Sequence, residues 1–344
     1  MLFPAPSLVK GGPMWYIAGI SRIRKASNMK DSLGRNITYL RLSVTELCDL
    51  RCRYCMPAEG VEKRRHEDML TEEETVLAVT AAAELGVRKV RVTGGEPLVK
   101  RNILSLCERV GAVPGIEELC LTTNGLRLPR FAKDLQAAGV RRVNISLDTL
   151  DAEKYAYITR VGRLDDALAG LGAALSAGFD RVKVNAVLIG GFNDDEIPAL
   201  ADLTRRYPVD VRFIELMPMG VGGFEQEAFL PGDAVLQKLP ELIQEEQDGS
   251  VATLYRLPGA QGRVGIIRPL SCQFCDRCDR VRLTADGRIK PCLHRPAEYP
   301  LKGLDKEGMK RQFEAAILNK PAWHGELSYD VPSEARRLMH RIGG

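Results

Sequence analysis

Apolar residues along this chain fall into two kinds of stretch that take turns. Short runs recur at residues 38–44 (TYLRLSV), 89–92, 119–122, 143–147, 182–188 and 211–216, and each reads as a strand. The longer stretches between them have helical spacing. One opens at Thr71, where Thr71 and Glu74 form a capping box ahead of Val76, Leu77 and Val79. Others open near Lys100, Leu128, Leu164 and Asp194. Gly86, Gly139 and Gly178 stand where helices should stop, as C-terminal caps do. Six strand–helix units in succession predict an α/β fold, a parallel sheet with helices outside it. Right-handed crossovers permit an open doubly wound sheet or a curved, barrel-like one, and the pattern alone does not choose.

The rhythm stops after Gly220, at Gly-Val-Gly-Gly (220–223) and again at Pro231-Gly232. Three segments result: an N-terminal extension over residues 1–36, the repeating α/β unit over 37–222, and a smaller, less regular α+β region over 223–344. The extension carries Lys10, Arg22, Arg24, Lys25 and Lys30 and no acid before Asp31. It lacks the Arg- and Ser-rich amphipathic pattern of a transit peptide and the compact apolar core of a secretory signal. It reads as a disordered basic tail, or as untranslated, with Met29 opening the segment that runs into the first strand.

The formal charge of +4, from 49 basic and 45 acidic residues, is too small to argue for a nucleic-acid partner. It leaves room for a local basic pocket holding a small polyanion. No apolar run approaches the roughly 18 residues of a membrane span. Nine cysteines, an odd number gathered mostly in two clusters, argue against a disulfide scaffold. They argue for metal ligation in a reducing compartment, the cytoplasm. Cys107 and Cys120, on a predicted helix and strand, read as buried bystanders.

Cys48, Cys52 and Cys55 form C-x3-C-x2-C directly after the first predicted strand. Three thiolates on one loop can hold three irons of a [4Fe–4S] cluster and leave the fourth open to a small molecule. A zinc ion would want a fourth ligand, for which His66 is the nearest candidate. With Tyr54 between the last two cysteines, the loop resembles that of radical S-adenosylmethionine (SAM) enzymes. The resemblance implies a partial (β/α)6 barrel with ligands at the C-terminal strand ends, as in full TIM barrels. It also implies SAM contacts at Tyr54, at Gly95 of Gly94-Gly95-Glu96-Pro97, at Ser146 ending the fourth strand and at Met217 after the sixth. Standing alone, these would be a turn, a strand-end hydroxyl and a core methionine.

Cys275, Cys278 and Cys292 form a second set, C-x2-C-x13-C, with Asp286-Gly287 as a hairpin turn that brings Cys292 back beside the first pair. Taken alone the set suits a zinc ribbon completed by Cys272 or His294. The run Cys275-Asp-Arg-Cys278-Asp-Arg280-Val281-Arg282-Leu-Thr284 resembles the C-terminal region of the GTP 3′,8-cyclases of molybdenum-cofactor synthesis, and the chain ends in Gly343-Gly344 like that family's tail. The likeness covers residues 37–344. It departs at the extension, at Asp279 where Asn is usual, and at Cys272, an extra thiol not assigned as a ligand.

That resemblance implies a second [4Fe–4S] cluster whose open iron takes the guanine base. It implies GTP contacts at Arg41, Arg91, Thr122, Lys183, Arg280, Val281 and Arg282, with Arg41, Arg280, Arg282, Gly343 and Gly344 serving catalysis. It further implies reductive cleavage of SAM, hydrogen abstraction from the ribose C3′ and closure onto C8 of guanine. An electron donor and a downstream enzyme forming a cyclic pyranopterin are its implied partners, and a homodimer is compatible with it. Physical chemistry points the same way for the phosphates, since a buried triphosphate needs several fixed, fork-like cations. A lone arginine is ordinarily a solvated surface charge, but Arg41 and Lys183 interrupt otherwise apolar strands. Two other readings stay open. One is a peptide-modifying radical SAM enzyme with an auxiliary cluster, and the other is a zinc-stabilised binding protein without catalysis.

Overall fold

The computed structural model describes residues 29–219, 228–247, 249–328 and 331–343. Expectations that fall on residues 1–28, on 220–223 and on Gly344 lie outside the described residues.

Strands β1 (Tyr39–Ser43), β2 (Lys89–Thr93), β3 (Glu118–Thr123), β4 (Val140–Ser146), β5 (Arg181–Leu188) and β6 (Val209–Glu215) lie side by side in chain order, all parallel. Crossovers that always step in the same direction, all right-handed, place every helix on one face, whereas a doubly wound sheet must reverse direction. The order therefore selects the barrel-like alternative. The helices are α1 (Glu72–Glu84), α2 (Ile103–Gly111), α3 (Leu128–Ala137), α4 (Ala152–Thr159), α5 (Leu164–Ser176) and α6 (Ile197–Arg206). The capping box at Thr71 is formed in both directions. Helix α4 is an addition to the expected set; the Asp151 carboxylate caps it, accepting from the Lys154 N–H at 2.9 Å.

The chain beyond residue 228 extends both edges of this sheet. Helix α7 (Asp233–Lys238) leads into β7 (Ile243–Gln244), β8 (Thr253–Arg256) and β9 (Val264–Ile267), and β9 pairs parallel with β6. Strand β10 (Arg280–Leu283) pairs parallel with β1, followed antiparallel by β11 (Arg288–Lys290) and β12 (Tyr299–Pro300). The result is one twelve-stranded sheet that does not close, since β12 and β7 remain its edges. Helix α8 (Lys306–Leu318) packs on α1, and the short α9 (Met339–Ile342) ends the described chain. Among the described residues no helix is long and apolar enough to cross a membrane.

The two faces of the sheet differ sharply. Leu40, Leu42, Val90, Val92, Leu121 and Ile145 point outward into the main core, each 0% exposed. The alternate positions, Tyr39, Arg41, Arg91, Thr122, Lys183 and Arg212, line the inner face. A one-residue slip of β1 would exchange Leu40 and Leu42 for Arg41 and a neighbouring Tyr39 or Ser43 in the core. Each buried leucine contributes roughly 2 kcal/mol, so the register is firmly set. Parallel strands are usually apolar on both faces. Here the inner face is polar, which marks it as the lining of a site.

Of the extension expected over residues 1–36, residues 29–36 lie on the body of the protein. The Met29 N–H donates to Leu85 O, and Lys30 bridges to Asn36. Arg35 pairs with Asp31 at 2.5 Å and donates to the carbonyls of Cys275 at 2.6 Å and Pro321 at 2.8 Å.

Candidate active site

The first cysteine loop leaves the C-terminal end of β1 and is braced from three sides. The N–H groups of Gly95 and Glu96 donate to Thr45 O and Leu47 O, both at 2.8 Å. A Cβ on Gly94 would lie 2.7 Å from Thr45 O, and one on Gly95 would overlap Leu47 O and lie 2.7 Å from Glu46 O. The close approach those glycines permit is thus first of all that of the 45–47 backbone. Buried Glu96 accepts from Leu98 N, Thr123 Oγ1 and Asn124 N, and burial pushes its carboxyl up to about 7. The Asn124 amide donates to Asp49 at 2.7 Å, beside Cys48. Tyr54 donates to Asp148 at 2.7 Å, and Asp148, raised by burial to about 6, also accepts from Val187 N. Asp148 lies two residues beyond Ser146 in sequence, so Tyr54 ties the loop to the end of β4.

Burial pushes the Cys48 and Cys55 thiols up to about 12 and Cys52 well above its ordinary value. Thiols this reluctant to ionise in water-poor surroundings are inert until a metal takes the proton's place. His66 is exposed on a short 3-10 helix and makes no fourth ligand. Among the described residues no three Cys, His, Asp or Glu converge as a single bound ion requires. The chemistry of the donor set, three thiolates on one loop, fits a thiolate-held iron–sulfur cluster. Ser146 and Met217 are half-buried at the ends of β4 and β6.

The second set lies at the other end of the parallel run. Cys275 and Cys278 flank a 3-10 turn before β10, and Cys292 follows β11 across the Asp286-Gly287 turn. Burial works to raise the Cys278 thiol, but Lys320 and Arg280 outweigh it and bring it below its ordinary value. His294 is buried against the edge of His324, and burial pushes its imidazole down to about 3. Its Nδ1 is engaged by Ser333 Oγ at 3.2 Å, and Cys272 is exposed.

Between the two sets runs a band of cations. In register, Arg282 lies beside Arg41 and Arg41 beside Arg91, while Lys183 lies beside Asp210. Arg91 donates through Nε to the Tyr39 hydroxyl at 2.5 Å and through Nη1 to Leu121 O at 2.9 Å, and just reaches Thr122 Oγ1 at 3.5 Å. Burial works to raise the Tyr39 phenol, but Arg91, Arg41 and Arg280 together lower it. Burial and Arg282 hold the Arg41 guanidinium well below its usual value. Burial and Arg280 bring Arg282 to about 10, and burial and Arg91 do the same for Arg212. Burial and Arg212 bring Lys183 to about 7 despite Asp210 Oδ2 at 3.3 Å. Val281 points the other way, into the core. Arg212 Nε, Arg280 Nε, Asn144 Oδ1 and Asn185 Oδ1 are buried without a hydrogen-bond partner. Cations held this close at a depth that weakens their own ionisation call for an anionic ligand.

The C-terminal tail reaches this band. Arg337 pairs with Glu298 at 2.7 Å and Asp286 at 2.9 Å, and His340 Nδ1 meets Cys55 O at 3.2 Å. Gly343 O then accepts from Arg282 Nη1 at 2.9 Å and from Arg41 at 3.4 Å. Gly343 has φ +82°, and an added Cβ would overlap Thr93 Oγ1. Sequence reasoning passed over Tyr39, Asp148 and Arg212. Arg212 was the legible one, because it interrupts the run VDVRFIE as Arg41 interrupts β1.

An open parallel barrel with a three-cysteine loop after its first strand defines a radical SAM protein, and the Radical SAM superfamily description matches residues 42–204. The solved structure of Streptococcus suis SuiB bound to S-adenosylmethionine superposes with a TM-score of 0.60 over 83% of this chain and 67% of that one. At 16% identity that likeness carries the fold alone. The description Molybdenum Cofactor Synthesis C matches residues 209–326. The GTP 3′,8-cyclase of Peptoclostridium acidaminophilum is 48% identical over 324 residues, covering 92% of this chain and 99% of its own. That of Pelotomaculum thermopropionicum is 47% identical over 325 residues, covering 92% and 100%. The chain belongs to the GTP 3′,8-cyclase family.

Proposed function

We propose that this chain cyclises GTP to (8S)-3′,8-cyclo-7,8-dihydroguanosine 5′-triphosphate, the first step of molybdenum-cofactor biosynthesis. The observation that carries the reading is the inward-facing band Arg41, Arg91, Lys183, Arg212 and Arg282 between two three-cysteine sets, with Arg282, Arg41 and Arg91 in register and Lys183 and Arg212 staggered further along β5 and β6. Cys48, Cys52 and Cys55 would hold one [4Fe–4S] cluster and Cys275, Cys278 and Cys292 a second. When bound, the first cluster with SAM supplies the electron and the hydrogen-abstracting group, and the second an iron for the guanine base.

The chain's own residues do the rest. Tyr54, Gly95, Ser146 and Met217 surround the SAM position, with Tyr54 fixed by Asp148. The guanidinium groups and Lys183 take the triphosphate, each fork matching phosphate oxygens. Thr122 stands between Arg91 and Lys183 as a neutral donor toward the ribose, and Val281 fixes β10 through the core. Arg280 and Arg282 alternate on one face of β10, so both reach the same ligand. Gly343 O, already on Arg41 and Arg282, aligns both groups, and Gly344 follows it.

The test is anaerobic incubation of the iron-loaded chain with SAM, a chemical reductant and each nucleoside triphosphate in turn. Cyclised product from GTP alone is expected. SAM cleavage with no nucleotide product, or modification of a peptide instead, would overturn the reading.

A further inference from the structure

Lys320, two residues past the end of α8, is 5% exposed. Its Nζ donates to Arg280 O and Pro291 O, both at 2.7 Å. Arg280 lies two residues after Cys278 and Pro291 immediately precedes Cys292. One ammonium therefore ties together the two backbone segments that carry those cysteines. No carboxylate of the described residues pairs with it. A buried ammonium normally has a counter-ion, since leaving it unpaired is costly. Two carbonyls answer part of its hydrogen-bonding capacity but not its charge. A cluster held by three thiolates is a net anion, more so once reduced. The surroundings of the first cysteine set are mixed, with Asp49, Asp148 and Glu96 close by and Arg51 donating to Cys48 O at 2.7 Å.

We infer that Lys320 is the fixed counter-ion of the second iron–sulfur cluster, and that it raises that cluster's reduction potential. The inference rests on the second cluster proposed above. A fixed cation stabilises the more negative, reduced form more than the oxidised one. Lys320 is a positioning and tuning residue here, acting on substrate only through the cluster.

The experiment is a potentiometric titration, read by electron paramagnetic resonance, of the full chain loaded anaerobically. Wild type, Lys320→Met, Lys320→Gln and Lys320→Arg are compared, and a Cys48→Ala/Cys52→Ala/Cys55→Ala chain isolates the second signal. Lys320→Met should keep its iron, shift the second midpoint to more negative potential and leave the first unchanged. Lys320→Arg should lie near wild type. An unchanged second midpoint in a fully loaded Lys320→Met overturns the inference. Should both neutral variants lose the second cluster while Lys320→Arg keeps it, the counter-ion role is equally supported. Loss in Lys320→Arg as well makes the residue a packing element and overturns it. A wild-type chain with iron for one cluster only would instead reject the reading on which the inference rests.

Discussion

Replacing Gly343 by alanine isolates the contribution of the tail to catalysis, because that position resists a side chain for two separable reasons. Its φ of +82° lies in the left-handed region, which costs an L-alanine about 1–2 kcal/mol relative to glycine. The new Cβ would also overlap Thr93 Oγ1, whose hydroxyl donates to Leu42 O at 3.3 Å. Turning that hydroxyl away forfeits a hydrogen bond worth about 1 kcal/mol. Together these terms come to about 2–3 kcal/mol, or roughly 30- to 150-fold against the docked tail. The anchors at Arg337 and His340 are untouched, so only the last residues lift. Arg41 and Arg282 then lose the Gly343 carbonyl that aligns them. Cyclisation should fall by about tenfold or more, with both clusters loaded and SAM cleavage continuing. Adding Thr93→Ala removes the overlapping oxygen and should recover about fivefold, a double-mutant test of the steric share. The assay is product formed per loaded chain, alongside iron content and melting temperature. Wild-type turnover in Gly343→Ala at wild-type iron would refute the argument, and a double variant no better than the single one would refute its steric half.

Cys52→Ala should lower iron by about half and abolish SAM cleavage, whereas Cys278→Ala should lower iron equally while unproductive cleavage survives; iron analysis and 5′-deoxyadenosine assays check this. Gly95→Ala drives a Cβ into the backbone of Leu47 and Glu46, so the first cluster's iron should be lost while the second is retained, as read by absorbance and resonance spectra. Because Lys183 titrates near 7 and only its protonated form attracts phosphate, GTP affinity should weaken as pH rises through that value. Lys183→Met should bind GTP more weakly and flatten that part of the profile, measured calorimetrically without turnover. Arg282→Ala should cut cyclisation at least about tenfold with unchanged iron, and Arg282→Lys should recover only part of it, since a point charge does not replace a fork.

Strand positions were legible because alternation of apolar and polar residues is a local property. The expected 89–92 and 182–188 fall within one residue of β2 and β5. The two groups of cysteines stood out by their spacing, though spacing alone left zinc open for both and suited a zinc ribbon for the second. What the linear pattern could not carry was long-range pairing. Nothing near residue 280 states that β10 will lie beside β1, because that pairing depends on the matching of two short runs far apart. The same limit hid Asp148 and Tyr39, whose importance comes from partners on other strands. Arg212 is different: its signal was local, an arginine inside an apolar strand, and it went unread beside the louder Arg41 and Lys183.

The pairing of β1 with β10 also sets a schedule for the newborn chain. Arg41 lies beside Arg282 of β10, 241 residues further along. A ribosome adding about 5–20 residues per second needs roughly 12–48 s to cover that interval. Throughout it, the outer side of β1 is a bare strand edge, able to recruit the wrong neighbour. Six strands and their helices can collapse in the meantime, but one wall of the chamber is still unsynthesised. The protein is therefore most exposed to aggregation during its own manufacture, and longest at the strand that carries Arg41.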